Sequence, residues 1–508
     1  MISLRRRFID QPVVWFIPAV TFILIFAMAA RTPLDSDMWW HLRAGEATIL
    51  GGKPLLQDTF SSTRFGQHWI NHSWLAQAGM FLLYRGGGFL ALGLATALLA
   101  ALSLALVYPQ MEGGALLRAF VLVLAATVAA PVWSPRPQLA SLVFFSALMY
   151  VLYLFKWRGQ ERLWLLPLIF MIWSNLHGGY VLGFLAIIAL AAGETLNHLL
   201  GREGSEVISW KRILRLLGWG LVAVLAAGIN PNGVATWSIP FKTVGIGALQ
   251  DSIAEWSSPD FHHLAQQPFF WMLVATLGAA GLSIRRLDGS DLVCVVGFAY
   301  LAILARRNFG PFALVAAPVL ARHLSNVLAE QRALHAEKWL IFDPGMRMNS
   351  KVQPGGHARL ILNLLLVMIL ALVAIGKMIL VSSPAHVARE ISRLYPSGAV
   401  AWIAQAQPDG NLFNEYNWGG YLVWTLPDYP VFVDGRTDLF DQPLLEAYQL
   451  TNAGVPGWQD RLDQFGINLA LVENGSGLAR QLALSPAWEN TYTDELAKVY
   501  IRRAGGGG

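Results

Sequence analysis

Charged residues are scarce in this chain, at 14% of 508 positions, whereas a soluble domain carries about 25%. Hydrophobic residues make up 55% of the sequence, and there are 20 tryptophans, a residue that collects at membrane–water interfaces. The shortage of charge excludes an ordinary soluble protein and predicts a multi-pass integral membrane protein.

Cysteine is nearly absent as well. The single thiol, Cys294, lies inside an apolar run, so no disulfide can form within one chain. No internal repeat is evident. The N-terminus, "MISLRRRFID", looks like the start of a signal peptide, but the apolar stretch after it lacks a small-residue cleavage site. We therefore interpret that stretch as a retained first span.

Long apolar runs, in contrast, are abundant. A membrane span needs about 20 mostly apolar residues, and the sequence predicts about eleven spans. The predicted runs are 13–31, 88–108, 116–133, 139–155, 163–175, 179–199, 213–229, 268–284, 290–305, 309–322 and 358–381.

Lysine and arginine in the short loops predict the orientation, because cytoplasmic loops carry an excess of them. With Arg5, Arg6 and Arg7 inside, the even-numbered connections collect the basic residues at 156–162, 202–215 and 285–286. The outer loops after spans three, five and seven hold only Arg136, no basic residue and Lys242, respectively. The net charge of +5 therefore reflects membrane topology, and we expect no nucleic-acid partner.

The predicted outer face receives the longer and more varied loops. They are 31–87, "SPRPQ" at 134–138, "NLHGG" at 175–179, 230–267 and "RRNFG" at 306–310. Residues 383–508 have ordinary soluble composition, with strand-like runs such as "YPVFVDG" and a flexible "GGGG" end. We expect an all-α transmembrane domain, residues 1–382, followed by a small extracytoplasmic α/β domain, residues 383–508.

The first outer loop begins with two carboxylates, Asp35 and Asp37, in "RTPLDSDMWWHLRAG". An interfacial helix starting near Asp37 could use one of them as its N-cap. Alternatively, a carboxylate that is partly desolvated at the bilayer edge has a raised pKa, which suits proton abstraction. A pair of carboxylates could also hold a divalent cation that binds a phosphate leaving group.

Five segments resemble the catalytic subunit of oligosaccharyltransferases, which belong to the GT-C superfamily of membrane glycosyltransferases. They occur in the family's order along the chain. The segments are "DMWWHLRAGEATILGGK" at 37–53, "HGGYVLGF" at 177–184, "SIAEWSSPDF" at 252–261, "RRNFGPFALVAAPVLA" at 306–321 and "NWGGYLVWTLPDYPVFVDGRTDLF" at 417–440.

The resemblance implies a GT-C-like fold and transfer of a sugar or oligosaccharide from a polyprenyl-phosphate or polyprenyl-pyrophosphate donor. It assigns Asp37, with its neighbour Asp35, as the catalytic or metal-binding acid, and Glu255 as the residue that activates or positions the acceptor. Arg307 or Arg306 matches the arginine near the donor phosphate. The acceptor would be a protein or a glycan, and the location a bacterial inner or plasma membrane.

The sequence departs from the family at two motifs. The second outer loop has Arg136 where the family places two acids. We therefore expect Arg136 to balance part of the negative charge of the phosphate in place of a metal cation. A divalent cation, Mg or Mn, would be left with Asp37 and Glu255 as ligands. The family's acceptor motif has lost its aspartate, and we assign the acceptor surface to Glu415, Asn417, Trp418 and His41.

Each of these residues could instead have a structural role without any part in catalysis. Glu255 could be an ordinary polar loop residue, Arg306 or Arg307 could extend to the headgroups, and residues 415–418 could form the core of the small domain. The outer histidines lack the spacing of a zinc site, which favours hydrogen bonding or substrate contact. At the level of the whole chain, the alternatives are a transporter or flippase of lipid-linked glycans, or a non-catalytic subunit of a glycan-assembly complex.

Overall fold

The computed structural model describes residues 12–202, 204, 206–239, 241, 255–334 and 356–503. The predictions made for Arg5, Arg6, Arg7, Lys242 and the glycine tail lie outside these residues.

The first three quarters of the chain form a helical bundle with few other elements. Its helices are α1 (Pro12–Ala29), α2 (Met38–Gly51), α3 (Trp74–Val107), α4 (Ala115–Ala129), α5 (Gln138–Trp157), α6 (Leu165–Leu176), α7 (Val181–Leu199), α8 (Trp210–Ala227), α9 (Gln267–Leu282), α10 (Gly289–Leu304), α11 (Phe309–Leu334) and α12 (Gly356–Val381).

Each of the eleven apolar runs overlaps one of these helices, and α2 is the interfacial helix expected after the first span. Six helical stretches of the described residues are long and apolar enough to cross a membrane, so the protein is an integral membrane protein. The full count of eleven spans stays a prediction. The six stretches are Trp74–Gln110, Ala115–Val132, Gln138–Trp157, Gly178–Leu199, Arg306–Leu334 and His357–Val381.

A kink divides α3 into an outer and a membrane half. Gly87 has φ −152° and ψ 17°, and Gly88 has φ 57° and ψ −146°, a conformation that residues with a Cβ rarely adopt. The predicted span 88–108 begins at this kink. The outer half, starting at Trp74, packs against α2 and so holds the first outer loop in place.

The core of the bundle surrounds α11, whose residues from Phe309 to His323 are all buried. In contrast, α12 is only 11% buried over its most apolar stretch. Since an apolar surface of this kind is stable only away from water, we expect α12 to face lipid.

The C-terminal part is an α/β unit, as predicted. Its strands are β1 (Asn411–Asn414), β2 (Ile467–Glu473), β3 (Trp488–Thr493) and β4 (Ala497–Arg502). The sheet has the order β1-β2-β4-β3; β1 is parallel to β2, and the other pairs are antiparallel. The helices of this unit are α13 (Pro384–Leu394), α14 (Ser397–Ala406), α15 (Gly419–Thr425), α16 (Gln442–Asn452), α17 (Trp458–Gln464) and α18 (Gly477–Leu484).

A buried ion cluster joins this unit to the first outer loop. Arg436, which is 0% exposed, donates to Asp58 at 2.5 Å and to Asp434 at 2.7 Å. The backbones of Ser62 and Val431 are also hydrogen-bonded across the same junction. Removing one partner of a buried ion pair costs about 3–5 kcal/mol, so this cluster fixes the C-terminal unit over the loop.

The opposite end of the bundle contains a second buried cluster. Lys156 forms ion pairs with Glu194 and Asp288, and Arg322 pairs with Asp291. Glu194 is the main acid within an apolar run, and here it is 0% exposed and bound to a lysine. These contacts join helix ends that the charge distribution predicts to lie inside.

Candidate functional site

The first two acids of the site lie between α1 and α2. The carboxylate of Asp35 accepts a hydrogen bond from the backbone N–H of Asp37 at 2.9 Å. Asp37 stands at the N-cap position of α2, but its side chain caps no backbone N–H. Its Oδ1 instead accepts from the Trp40 indole N–H at 3.2 Å. The capping role considered for Asp37 is therefore not the one that the structure gives it.

The guanidinium of Arg136 is the centre of the site. Pro135 and Pro137 flank it in the short loop between α4 and α5, so little freedom remains in the backbone. Arg136 donates to Asp37 Oδ2 at 2.7 Å and to Glu255 Oε2 at 2.6 Å. Its Nε lies 3.7 Å from Asp35, and Gln138 accepts a further bond at 2.8 Å. One arginine thus joins three acids from two distant segments.

Glu255 and the two arginines before α11 are tied together through their backbones. The N–H of Arg307 donates to the carbonyl of Glu255 at 3.0 Å, and the N–H of Arg306 donates to the carbonyl of Ser257 at 3.2 Å. The Arg307 guanidinium lies over the Trp256 ring, 4.2 Å from its centroid. No carboxylate of the described residues lies within 4.0 Å of it, although Glu255 and Asp37 are within electrostatic reach.

The two catalytic candidates have opposite pKa shifts. Burial raises the pKa of Asp37 to about 7, with Asp35 and Glu255 adding to the effect and Arg136 opposing it. Burial alone would also raise the pKa of Glu255, but Arg136 and Arg307 outweigh it, and the pKa of Glu255 is lowered. Asp37 is therefore the acid that exchanges a proton near neutral pH, and Glu255 stays ionised.

Arg136 remains charged in this setting. Burial would lower its pKa, but the charges of Asp35, Glu255 and Asp37 raise it well above its usual value. A buried charge is stable only when it is paired, and here each nitrogen of the guanidinium lies within 4.0 Å of a carboxylate.

Three histidines lie beside these charges. His41 is on α2, His72 precedes α3, and His177 follows α6. The rings of His72 and His177 are 6.0 Å apart, and His72 Nδ1 lies 3.8 Å from Asp438. His41 and His177 are within electrostatic reach of Arg136, and His72 and His177 are within reach of Arg307. Of these three, only His41 was among the candidate residues predicted from the sequence.

The backbone of the C-terminal unit lies directly against Ser36 and Asp37. A Cβ on Gly435 would lie 1.8 Å from Asp37 Oδ1, and one on Gly420 would lie 2.4 Å from the carbonyl of Ser36. Neither glycine can be replaced without moving the loop. The hydroxyl of Tyr416 is buried without a hydrogen-bond partner among the described residues.

The candidate acceptor residues have different surroundings. Trp418 is 6% exposed and packs in the core between the first loop and the C-terminal unit. Glu415 accepts from the backbone N–H of Trp418, and burial raises its pKa to about 7. Asn417 is exposed and donates to Glu415 at 3.2 Å. The core position favours the structural alternative for Trp418, and the acceptor roles of the other two stay predictions.

The predicted divalent cation does not fit these donors well. Asp37 and Glu255, its two candidate ligands, both bind the Arg136 guanidinium. Among the described residues, no group of three or more histidine, cysteine or acidic side chains is arranged to hold a metal ion. The guanidinium already stands between the carboxylates, where a cation would have to bind.

Sequence reasoning missed two kinds of residue. His72 and His177 were seen to lie on the outer side, within "NHSW" and "NLHGG", but nothing in their spacing connected them to the acids. Gly435 and Asp438 belong to "DGRTD", and their contacts with Asp37 and His72 depend on how the C-terminal unit docks. The only feature of the sequence that could have indicated these residues is the position of their polar motifs in predicted outer segments.

Comparison with known proteins gives matches to solved structures alone. No protein-family model matches the chain, and no curated protein matches it by sequence. The chain is similar to the apo oligosaccharyltransferase of Archaeoglobus fulgidus, with a TM-score of 0.49 and 12% identity, over 90% of this chain and 69% of that chain. It is also similar to ArnT from Cupriavidus metallidurans bound to undecaprenyl phosphate, with a TM-score of 0.47 and 14% identity, over 98% and 99% of the two chains.

Proposed function

We propose that this protein is a membrane glycosyltransferase that moves a sugar or oligosaccharide from a polyprenyl-(pyro)phosphate donor to a protein or glycan acceptor on the outer face. One observation carries the proposal. Arg136 joins Asp37 and Glu255, and Arg307 lies beside them over Trp256, in a cluster of side chains from predicted outer loops. A base and a cation for an anionic leaving group are the two elements that such a transfer needs.

Asp37 serves as the general base in this mechanism. The acceptor oxygen or nitrogen attacks the anomeric carbon, and its proton passes to the Asp37 carboxylate. The bond between the anomeric carbon and the phosphate oxygen breaks, and the carrier leaves as polyprenyl phosphate or pyrophosphate. A base whose pKa is about 7 combines a useful ionised fraction with adequate basicity at neutral pH.

The arginines divide their work. Arg307 binds the leaving phosphate, because its guanidinium has no carboxylate within 4.0 Å among the described residues and suits phosphate geometry. Arg136 holds Asp37 and Glu255 in place and keeps Glu255 ionised, so that Glu255 can orient the acceptor. We assign the cation's part to Arg136 and Arg307, and no step of this mechanism passes through a metal ion.

A turnover assay tests the proposal. Purified protein in vesicles is given polyprenyl-phosphate-linked sugars extracted from membranes, and mass spectrometry follows release of the free carrier. We expect Asp37→Asn to lose at least about 100-fold in rate, because general-base catalysis contributes about 10²–10⁴-fold. The matched control is Asp409→Asn, an exposed acid of the C-terminal unit, which should keep wild-type activity.

The other functional classes give different results in the same assay. A flippase would move the headgroup across the bilayer without breaking the sugar–phosphate bond, so the donor mass would not change. A non-catalytic subunit would give the same assay result with and without Asp37→Asn. Either result, with folded protein, would overturn the proposal.

A further inference from the structure

The site contains three histidines to which the proposed mechanism assigns no role. His41, His72 and His177 come from three different elements and lie within electrostatic reach of one another. Burial, with nearby positive charge adding to it, lowers the pKa of His41 and of His177 well below the usual value. Both imidazoles are therefore neutral near pH 7, and each carries a single N–H.

The position of that proton on His177 follows from its neighbours. The backbone N–H of Gly179 donates to His177 Nδ1 at 3.0 Å, and a backbone N–H can only donate. The Ser141 hydroxyl, 2.7 Å away, accepts from the Trp173 indole and has its own proton left to donate to the same Nδ1. Nδ1 is thus an acceptor, so the proton of His177 is on Nε2.

A chain of buried amides fixes His41 in the same way. The Asn71 amide nitrogen donates to the carbonyl of Leu55 at 3.2 Å and to Gln77 Oε1 at 2.8 Å. This orientation leaves Gln77 Nε2 as the donor to both Asn71 Oδ1, at 2.9 Å, and His41 Nδ1, at 3.3 Å. The proton of His41 is therefore also on Nε2.

Neither Nε2–H has a hydrogen-bond acceptor among the described residues. Neither nitrogen is among the fully buried polar atoms of these residues that have no hydrogen-bond partner. Both groups are therefore at least partly accessible to a ligand. With its proton on Nε2 and its Nδ1 occupied, neither ring offers a lone pair to a metal ion. A neutral N–H instead suits an oxyanion whose charge a neighbouring guanidinium already balances.

We infer that His41 and His177 donate their Nε2–H groups to the phosphate oxygens of the polyprenyl carrier, beside Arg307. This inference deepens the proposed function and rests on it. It gives His41 a place at the donor phosphate instead of at the acceptor. Asn71, Gln77, Ser141 and Gly179 are then positioning residues that set the two tautomers.

The first test is a nitrogen-15 NMR spectrum of histidine-labelled protein in nanodiscs, with and without undecaprenyl phosphate. We expect His41 and His177 to be protonated at Nε2 in the free protein, and both Nε2 signals to shift when the lipid is added. A proton on Nδ1, or Nε2 signals that do not move, would overturn the inference. The same shifts produced by inorganic phosphate alone at equal concentration would also overturn it, because the lipid would then not be required.

A matched pair of variants gives a second readout. His177→Gln keeps an N–H donor near the Nε2 position and should bind undecaprenyl phosphate within about threefold of the wild type. His177→Leu removes the donor and should lose at least about tenfold in affinity, as expected for a hydrogen bond to a charged group. Equal affinity of the two variants would contradict the role of His177.

The two proposals fail separately. Unmoved Nε2 signals in a protein that still releases carrier would reject the inference and keep the transferase. Shifted Nε2 signals in a protein that binds the lipid but never cleaves the sugar–phosphate bond would reject the transferase and keep the phosphate contact.

Discussion

At the scale of single residues, the sequence identified the acids and the arginines of the site but not their pairing. Asp37, Glu255, Arg136 and Arg307 all stand in predicted outer loops. The interaction of Arg136 with acids 99 and 119 residues away depends on helix packing, which no local pattern encodes. Burial raises the pKa of Asp37 in spite of this pairing, whereas Arg136 and Arg307 together lower the pKa of Glu255.

The pH dependence of the reaction follows from this pairing. Since Asp37 must be ionised to act as a base, kcat/KM should rise about tenfold per pH unit below 7 and level off above it. In Glu255→Gln, a negative charge that raises the pKa of Asp37 is lost, so the acidic limb should move to lower pH. In Arg136→Gln, a positive charge that lowers this pKa is lost, so the limb should move to higher pH.

Initial rates between pH 5 and 9 measure these shifts, with Asp409→Asn as the control that should leave the limb in place. Both variants will also have lower absolute rates, so the position of the limb is the quantity to compare. An identical limb in the wild type and in both variants would show that Asp37 is not the titrating base.

At the scale of elements, the apolar runs predicted the helices well because burial in lipid requires long apolar stretches. The outer half of α3, before Gly88, was expected only as part of a loop. It mixes polar and apolar residues, since it packs on α2 and is not surrounded by lipid. The C-terminal strands were expected in kind, but their order could not be read from the sequence, because strand pairing is non-local.

The contact of Gly435 with the first loop gives a prediction at this scale. In Gly435→Ala the added methyl group would overlap the Asp37 carboxylate, so this carboxylate must leave the position in which it binds Arg136. A small displacement of a catalytic group can cost about 100-fold in rate, and we expect a loss of that order in the turnover assay. The control is Gly376→Ala on α12, where a Cβ meets nothing within 4 Å.

Thermal unfolding of both variants separates misplacement from misfolding. Gly435→Ala should lower the free energy of unfolding by about 1–3 kcal/mol, as overpacking does, and still fold. Gly376→Ala should be neutral or slightly stabilising. Wild-type turnover in Gly435→Ala would show that the position of Asp37 against the C-terminal unit is unimportant.

At the scale of the whole molecule, the charge distribution correctly grouped the loops, because the segments predicted to lie outside meet at one end of the bundle. Lys156, Glu194 and Asp288 meet at the other. The docking of the C-terminal unit through Arg436 and Asp58 was not foreseen, since the two residues are 378 positions apart. This docking places the backbone of Gly435 against the Asp37 carboxylate.

The central claim is that this site binds the phosphate of a polyprenyl carrier through Arg307. The most direct measurement is the affinity of the protein in nanodiscs for undecaprenyl phosphate, compared between the wild type, Arg307→Gln and Arg480→Gln, an exposed arginine of the C-terminal unit. A hydrogen bond to a charged group contributes about 1.5–3 kcal/mol, so Arg307→Gln should weaken binding by about 10- to 100-fold, and Arg480→Gln should not. Equal affinity of all three proteins would contradict the account.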